Sequence, residues 1–297
     1  MPTLRPLLRP GSRVGIIAPS GVFDPERLER GMALIASWGL VPVPAPALGR
    51  RFRYLAGSIE ERRADLRWGL SAPDLDAVWM ARGGFGMVHL LDGLDALSLD
   101  RRPIIGFSDA TALFCALDRR RAGLRVHGPV LQSLADLADA DSQEALRALL
   151  MEGRRAHLPG TLVAGPAGPV RGRLVGGNLC MLASLAGTPW ALDARRAVVL
   201  LEDVGEVPYK IDRTLMQLLH SGGFAGARAV VLGSFTGCPV PEGADWTLLQ
   251  VLVERLSPLG VPILAELPVG HGSRNRAWVH GGQVRLDSQG LRPMGAL

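Results

Sequence analysis

Along the first half of the chain, apolar runs of four or five residues alternate with longer stretches whose apolar positions recur every three or four residues. This is the pattern of buried strands alternating with amphipathic helices. Arg13-Val14-Gly15-Ile16-Ile17-Ala18 is the first run, and Pro19-Ser20-Gly21 ends it. Asp24-Pro25-Glu26 then offers an N-cap, a proline at the first helical position and a first-turn acid. A helix is predicted to about residue 38, stopping at Gly39. Residues 40–43 return as a strand, and Pro42, Pro44 and Pro46 place it at a sheet edge. Ser58-Ile59-Glu60-Glu61 is a capping box that predicts a helix to about residue 70. Residues 76–80 form the next strand, ending in Arg82-Gly83-Gly84-Phe85-Gly86, with a short helix to about residue 91. Pro103-Ile104-Ile105-Gly106 is another strand, followed by a helix over 111–119, a strand at Leu124-Arg125-Val126 and a helix over 139–150. Short loops between alternating elements predict a parallel sheet covered on both faces.

The pattern breaks at 151–171, where Gly153, Pro159, Gly160, Gly165, Pro166, Gly168 and Pro169 leave no room for long elements. The expected organisation is an N-terminal domain over 1–150, a connecting segment over 151–171 lying along the surface, and a C-terminal domain over 172–297. The second half opens with Gly172-Arg173-Leu174-Val175-Gly176-Gly177-Asn178 and a helical run over 179–186. Ala197-Val198-Val199-Leu200-Leu201 is a strongly apolar strand that runs into Glu202-Asp203. Helices are predicted over 211–220 and 246–256, and strands at 229–232, 261–264 and 284–286.

Composition adds little to this until the charges are sorted. At 297 residues with 47% hydrophobic and 21% charged content, the chain is an ordinary globular protein with enough length for a real core. No apolar run reaches the roughly 18 residues of a membrane span. The opening, Met1-Pro2-Thr3-Leu4-Arg5-Pro6, lacks an apolar leader and a small-residue cleavage site, so a cytoplasmic location is expected. The net charge of +5 is almost wholly arginine, with Lys210 the one lysine. The arginines are scattered or lie beside acids, as in Glu60-Glu61-Arg62-Arg63, and predict a solvated surface rather than a nucleic-acid stripe. The 3 cysteines are widely spaced, without Cys-x-x-Cys; Cys115 and Cys180 fall in apolar helical patterns and are expected as core thiols. There is no G-x-G-x-x-G, no P-loop and no His/Cys/Asp spacing suited to a metal, so neither a cofactor nor a metal is expected.

Candidate chemistry gathers at the ends of strands. Gly106-Phe107-Ser108-Asp109-Ala110-Thr111 follows one strand and opens a helix. A sharp strand-to-helix turn lifts a serine clear of the sheet, with unpaired N–H groups behind it; the same serine could equally serve as a helix cap. A serine nucleophile needs a base and a group to orient that base. Of the 6 histidines, His271 in Gly270-His271-Gly272 lies in a loop between glycines, His127 follows a strand, and His89, His157, His220 and His280 lie within element-like patterns. For the orienting acid, Glu202 ends an apolar strand where a carboxylate needs a partner; Asp203 and Glu206 are close rivals, and Arg173 or Arg213 could instead hold Glu202 in an ion pair. The Gly83-Gly84 loop lets backbone N–H groups approach a ligand.

Several blocks together resemble one family. They are the opening run 11–21, Ala81-Arg82-Gly83-Gly84-Phe85-Gly86, Ile104-Ile105-Gly106-Phe107-Ser108-Asp109-Ala110-Thr111, His127-Gly128-Pro129, Gly176-Gly177-Asn178-Leu179, the stretch 201–213 beginning Leu201-Glu202-Asp203-Val204-Gly205-Glu206, and Gly270-His271-Gly272. In this order they are similar to the LD-carboxypeptidases, the muramoyl-tetrapeptide carboxypeptidases. The resemblance implies an α/β protein, with an N-terminal Rossmann-like parallel sheet and flanking helices and a smaller C-terminal α/β domain. It implies a serine peptidase of peptidoglycan recycling that releases terminal D-Ala from cytoplasmic murein tetrapeptides, with Ser108 as nucleophile, His271 as base and Glu202 as its orienting acid. Backbone N–H groups of Asp109 and Gly84 would form the oxyanion hole. Arg82, beside that loop, and Asn178, in the Gly-Gly-Asn block, are the candidate substrate contacts. A murein peptide and a second copy in a homodimer are the expected partners, with no nucleic acid and no membrane. Two alternatives stand beside this reading: a microcin-type self-immunity peptidase that cleaves peptidyl-nucleotide amides with the same triad, and a non-catalytic protein that binds cell-wall peptides.

Overall fold

A computed structural model describes residues 5–94, 99 and 101–295; the opening residues 1–4, considered above for a leader, lie outside the described residues. The chain divides into two compact units, one of residues 1–155 with 276–279, the other of residues 156–275 with 280–297.

In the first unit, β1 (Arg13–Ile17), β2 (Val41–Pro44), β3 (Ala77–Met80), β4 (Pro103–Gly106) and β5 (Leu124–His127) stand in the order β5-β4-β3-β1-β2. Every neighbouring pair among these five is parallel. Strands β3 and β4 are buried at every position, so the sheet is covered on both faces. Each fully buried Val, Ile or Leu contributes roughly 1.5–3 kcal/mol. The proline-bearing β2 takes the edge, where a missing N–H costs no ladder bond. The strand order reverses between β1 and β3, which makes the carboxyl ends of β1, β3 and β4 the place where such sheets bind ligands.

Local signals set the helices. Asp24 accepts from the Arg27 N–H at the start of α1 (Pro25–Ser37). Ser58 and Glu61 form the capping box of α2 (Ile59–Ser71). Helix α3 (Ala110–Arg120) follows β4, α4 (Leu131–Leu134) packs across α1, and α5 (Ala140–Glu152) closes the run. Gly31 permits the α1–α4 crossing, because a Cβ there would stand 2.2 Å from the Leu131 carbonyl oxygen.

The second unit holds an eight-stranded mixed sheet. Its strands are β6 (Leu158–Pro159), β7 (Thr161–Ala164), β8 (Val170–Asn178), β9 (Ala197–Val204), β10 (Ala229–Thr236), β11 (Ile263–Ala265), β13 (Gln283–Asp287) and β14 (Gly290–Pro293). Strands β8, β9, β10 and β11 are a parallel core, flanked by antiparallel β7 on one side and β13, β14 and β6 on the other. Helices α6 (Leu179–Ser184), α7 (Pro208–His220) and α8 (Leu248–Leu256) accompany it. Val198, Val199, Leu200 and Leu201 of β9 have no exposed surface.

Four features depart from the sequence expectations. The segment 151–171 carries β6, β7 and the first residues of β8, because antiparallel flanking strands tolerate the glycines and prolines that deny it a long element. The strand β12 (Trp278–His280) lies beyond β5 in the first sheet, although it comes almost at the end of the chain. Cys180 is exposed, since Leu179, Met181 and Leu182 take the inward positions of α6; Cys115 is buried, and burial pushes its thiol up to about 12. Arg62, expected on a solvated face, is 1% exposed.

Candidate active site

The first constellation lies at the carboxyl ends of β3 and β4. Gly106 ends β4 without a side chain because a Cβ there would stand 2.7 Å from the Met80 sulfur and 3.1 Å from the Ala110 Cβ. The helix can therefore start immediately beside the sheet. Ser108 sits in that turn at φ 63°, a left-handed conformation unusual for a residue with a side chain and worth roughly 1–3 kcal/mol of strain. Asp109 is the N-cap of α3 but makes no side-chain cap bond. The Ser108 carbonyl accepts from Thr111 N–H at 2.9 Å. The turn is thus the strained strand-to-helix corner that presents a hydroxyl beside the first turn of a helix.

The Gly-Gly loop lies directly against this serine. A Cβ on Gly83 would stand 2.9 Å from the Ser108 Cβ and 3.1 Å from its Oγ. The Gly83 carbonyl accepts from Gly21 N–H at 3.1 Å. In a trans peptide the next N–H points the opposite way, so the Gly84 N–H is turned away from Gly21. Gly84 itself has φ 104°. The Arg82 guanidinium reaches back to the Val22 carbonyl. Phe107, the residue before Ser108, meets the His127 ring edge-on at 5.9 Å, and Trp278 of β12 stacks on that imidazole at 4.8 Å.

The second constellation is built on β9 and β10. Glu202 has no exposed surface and lies inside β9, which continues to Val204. Its Oε2 is 2.7 Å from His271 Nδ1. An ionised carboxylate only accepts, so Nδ1 carries the proton and Nε2 is left as the acceptor nitrogen of the ring. Strand β10 shifts register against β9 between Leu232 and Phe235. In that gap Ser234 N–H donates to the Val269 carbonyl and Leu267 N–H to the Leu232 carbonyl, which draws the segment before His271 onto the sheet. Gly233 and Gly270 are required by this packing. A Cβ on Gly233 would stand 2.4 Å from the Val269 oxygen, and one on Gly270 2.1 Å from the Ser234 Oγ.

The rival acids have other partners. Asp203 accepts from Asn178 Nδ2 at 2.9 Å, from Cys180 N–H at 3.0 Å and from Val204 N–H at 2.9 Å, while burial raises its pKa. Glu206 faces Lys210 across 3.6 Å. Asn178 caps α6 through the Met181 N–H, so both ends of its amide are engaged within the unit. Arg173 pairs with Asp193 and Arg213 lies over the Tyr209 ring. Ser108, Asp109, Gly84 and Arg82 therefore belong to the first unit, and Glu202, His271 and Asn178 to the second. Among the described residues no group of three or more His, Cys, Asp or Glu could hold a metal ion. No helix among them is long and apolar enough to cross a membrane.

Sequence reasoning missed Arg62, since nothing in its charge-rich helix marks it as the side chain that turns inward. It also missed Trp278, an isolated aromatic residue in a short strand.

The first unit holds a strained serine corner against the Gly-Gly loop and the second a buried carboxylate–imidazole contact, groups of the kinds that serine hydrolases use. Residues 14–128 match the LD-carboxypeptidase N-terminal domain, and residues 171–286 the LD-carboxypeptidase C-terminal domain. The chain is 39% identical over 293 residues to the murein tetrapeptide carboxypeptidase of Pseudomonas aeruginosa, covering 94% of each chain. It superposes on the muramoyltetrapeptide carboxypeptidase of Oxalobacter formigenes with a TM-score of 0.78 at 29% identity, over 94% of this chain and 97% of the other. The structure of MccF in complex with glutamyl sulfamoyl guanosine gives a TM-score of 0.85 over 99% of both chains, but at 21% identity, a likeness of fold alone. The chain belongs to the LD-carboxypeptidase family and is a serine-type carboxypeptidase.

Proposed function

We propose that the protein releases the terminal D-Ala from murein tetrapeptides in the cytoplasm, as a homodimer, with Ser108, His271 and Glu202 as its catalytic triad. The observation that carries the reading is the 2.7 Å contact between His271 Nδ1 and the wholly buried Glu202, which fixes the tautomer a general base needs. The 39% identity to a murein tetrapeptide carboxypeptidase supports the choice of peptide. The family resemblance supports the location and the dimer.

In the first step Ser108 Oγ attacks the carbonyl carbon that joins the third residue, typically diaminopimelate, to D-Ala. Its proton passes to His271 Nε2. The N–H groups of Gly84 and Asp109 receive the developing oxyanion. Collapse breaks the C–N bond, and the imidazolium returns the proton to the leaving amine. A water deprotonated by His271 then hydrolyses the ester and restores Ser108. Glu202 stabilises the imidazolium throughout. Arg82 is assigned to the peptide's terminal carboxylate, and Asn178, which also holds Asp203 and the start of α6, to the substrate side of the second unit.

The test is D-Ala release from a murein tetrapeptide by the purified chain. Ser108→Ala should lower kcat by at least about 10⁴-fold while leaving the circular dichroism spectrum unchanged. Turnover of aspartyl sulfamoyl adenosine without turnover of tetrapeptide would replace this reading with an immunity-type peptidase. Inertness of wild type and variant alike, with tight peptide binding, would replace it with a binding protein.

A further inference from the structure

The Gly-Gly loop ends in a peptide group held from both sides by buried charges. The carbonyl of Gly86 accepts from Arg62 Nη1 at 3.0 Å, and the N–H of the same peptide, Met87 N, donates to Asp109 Oδ2 at 2.8 Å. Arg62 is 1% exposed and Asp109 has no exposed surface. Burial lowers the Arg62 pKa and raises that of Asp109, and the attraction between the two groups opposes both shifts. A cation on the carbonyl oxygen and an anion on the N–H align with the dipole of that single peptide group and fix its direction.

The arginine grips more than this one loop. Its Nη1 also donates to the Pro19 carbonyl at 2.6 Å and its Nε to the Gly57 carbonyl at 3.2 Å, while Nη2 lies 3.3 Å from His89 Nδ1. The guanidinium donates, so Nδ1 of His89 accepts. One planar fork thus joins the turn after β1, the entry to α2 and the loop after β3. A lysine could satisfy these acceptors only one or two at a time. Gly86 makes room for it at φ 133°, since a Cβ there would stand 2.8 Å from Arg62 Nη1. The other end of the loop is held where Gly83 accepts from Gly21. Gly84 and Phe85 lie between two pinned peptide groups.

Asp109 links this clamp to the nucleophile, for it is covalently the next residue after Ser108. Burying two charges is costly unless they are paired and hydrogen-bonded, and a structural core would be served as well by apolar side chains. What a charged clamp adds is directional control of the loop that carries the proposed oxyanion donor. We propose that Arg62 and the Asp109 carboxylate are positioning residues, which hold the Gly84 N–H in register with Ser108. This inference rests on the reading of Ser108 as nucleophile given above.

Arg62→Lys, Arg62→Met and Asp109→Asn test it. Each is measured for folding by urea denaturation, for kcat and KM on tetrapeptide, and for phosphonylation of Ser108 by a fluorophosphonate. In that labelling the Ser108 Oγ–P bond forms, the P–F bond breaks and the hydroxyl proton leaves with the base, so it reports nucleophile and oxyanion hole without the natural substrate. The expected result is a fall of about 10²-fold in both kcat and the labelling rate for Arg62→Met, with KM within about twofold. Arg62→Lys and the near-isosteric Asp109→Asn should fall between wild type and Arg62→Met. If Arg62→Met does not fold, these two variants carry the test. Folded variants that label and turn over like wild type overturn the inference. So does a loss that merely tracks the folded fraction. Wild type that labels at Ser108 but leaves tetrapeptide intact refutes the peptide assignment alone, and the labelling series still decides on the clamp. Wild type that does not label at Ser108 removes both.

Discussion

Gly270 and Gly272 flank the same histidine but carry different constraints. Gly270 has φ 139°, and its missing Cβ would stand 2.1 Å from the Ser234 hydroxyl and 3.2 Å from Glu202 Oε2. Gly272 would place a Cβ 3.5 Å from Thr236 Oγ1, an ordinary contact. Gly270→Ala should therefore cost about 2–4 kcal/mol in unfolding free energy, from strain and overpacking together. It should also lower kcat by at least about tenfold, because His271 is displaced. Gly272→Ala should leave the urea midpoint nearly unchanged. Urea titration and kcat measured on the same preparations check the pair. The sequence shows both glycines as equivalent flanks; only the register shift of β10 separates them.

Helices and strands were legible where their signals are local. The Asp24-Pro25 cap and the Ser58-Glu61 box mark α1 and α2, since capping needs only residues three apart. Arg62 was not legible, because a helix rich in charge does not declare which side chain turns inward. Strands β6, β7 and β12 were not legible either: glycines and prolines hide the first two, and β12 pairs with β5 far earlier in the chain. Ser108 and His271 stood out for a related reason, each being a reactive side chain in a glycine-bordered turn that packing alone does not demand. Between elements, Asp136 joins α1 to the segment just past α4. It accepts from Arg30 through two bonds of 2.7 and 2.8 Å and from Arg27 at 3.0 Å. Hydrogen bonds from Arg30 foremost lower its pKa from 3.8 to about 2. A depressed carboxylate contributes stability that is full above pH 3.8 and is lost as the pH falls through about 2. Asp136→Asn should thus be less stable at pH 7, by under about 1 kcal/mol because the cluster faces solvent. The difference should shrink as the pH falls from about 4 towards 2, which urea midpoints across pH 2 to 7 would show.

At the scale of the whole molecule, the two units are not consecutive pieces of chain. Residues 276–279 return to the first unit after 120 residues of the second, which the chain then re-enters at residue 280. Trp278, 5% exposed and stacked on His127, therefore supports the turn that carries Ser108 from a position late in the sequence. Trp278→Ala should cost roughly 3–5 kcal/mol as a large-to-small change in a core. The wild-type chain should unfold in one calorimetric transition, with calorimetric and van't Hoff enthalpies equal, since the first unit cannot stay complete once the segment leading into β12 unravels. Two resolved transitions in the wild type would contradict that expectation.

The late arrival of β12 also sets a timetable for synthesis. The strand follows β5 by about 150 residues, which at the usual pace of translation means roughly 8–30 s. During that interval the nascent first sheet has an open edge at β5, with the His127 ring lacking its indole cover. An uncovered strand edge recruits whatever strand is nearby. Newly made chains should accordingly depend on a ribosome-associated or early cytosolic holdase more than refolded full-length chains do, and ribosome-stalled chains ending before residue 276 should be its preferred clients.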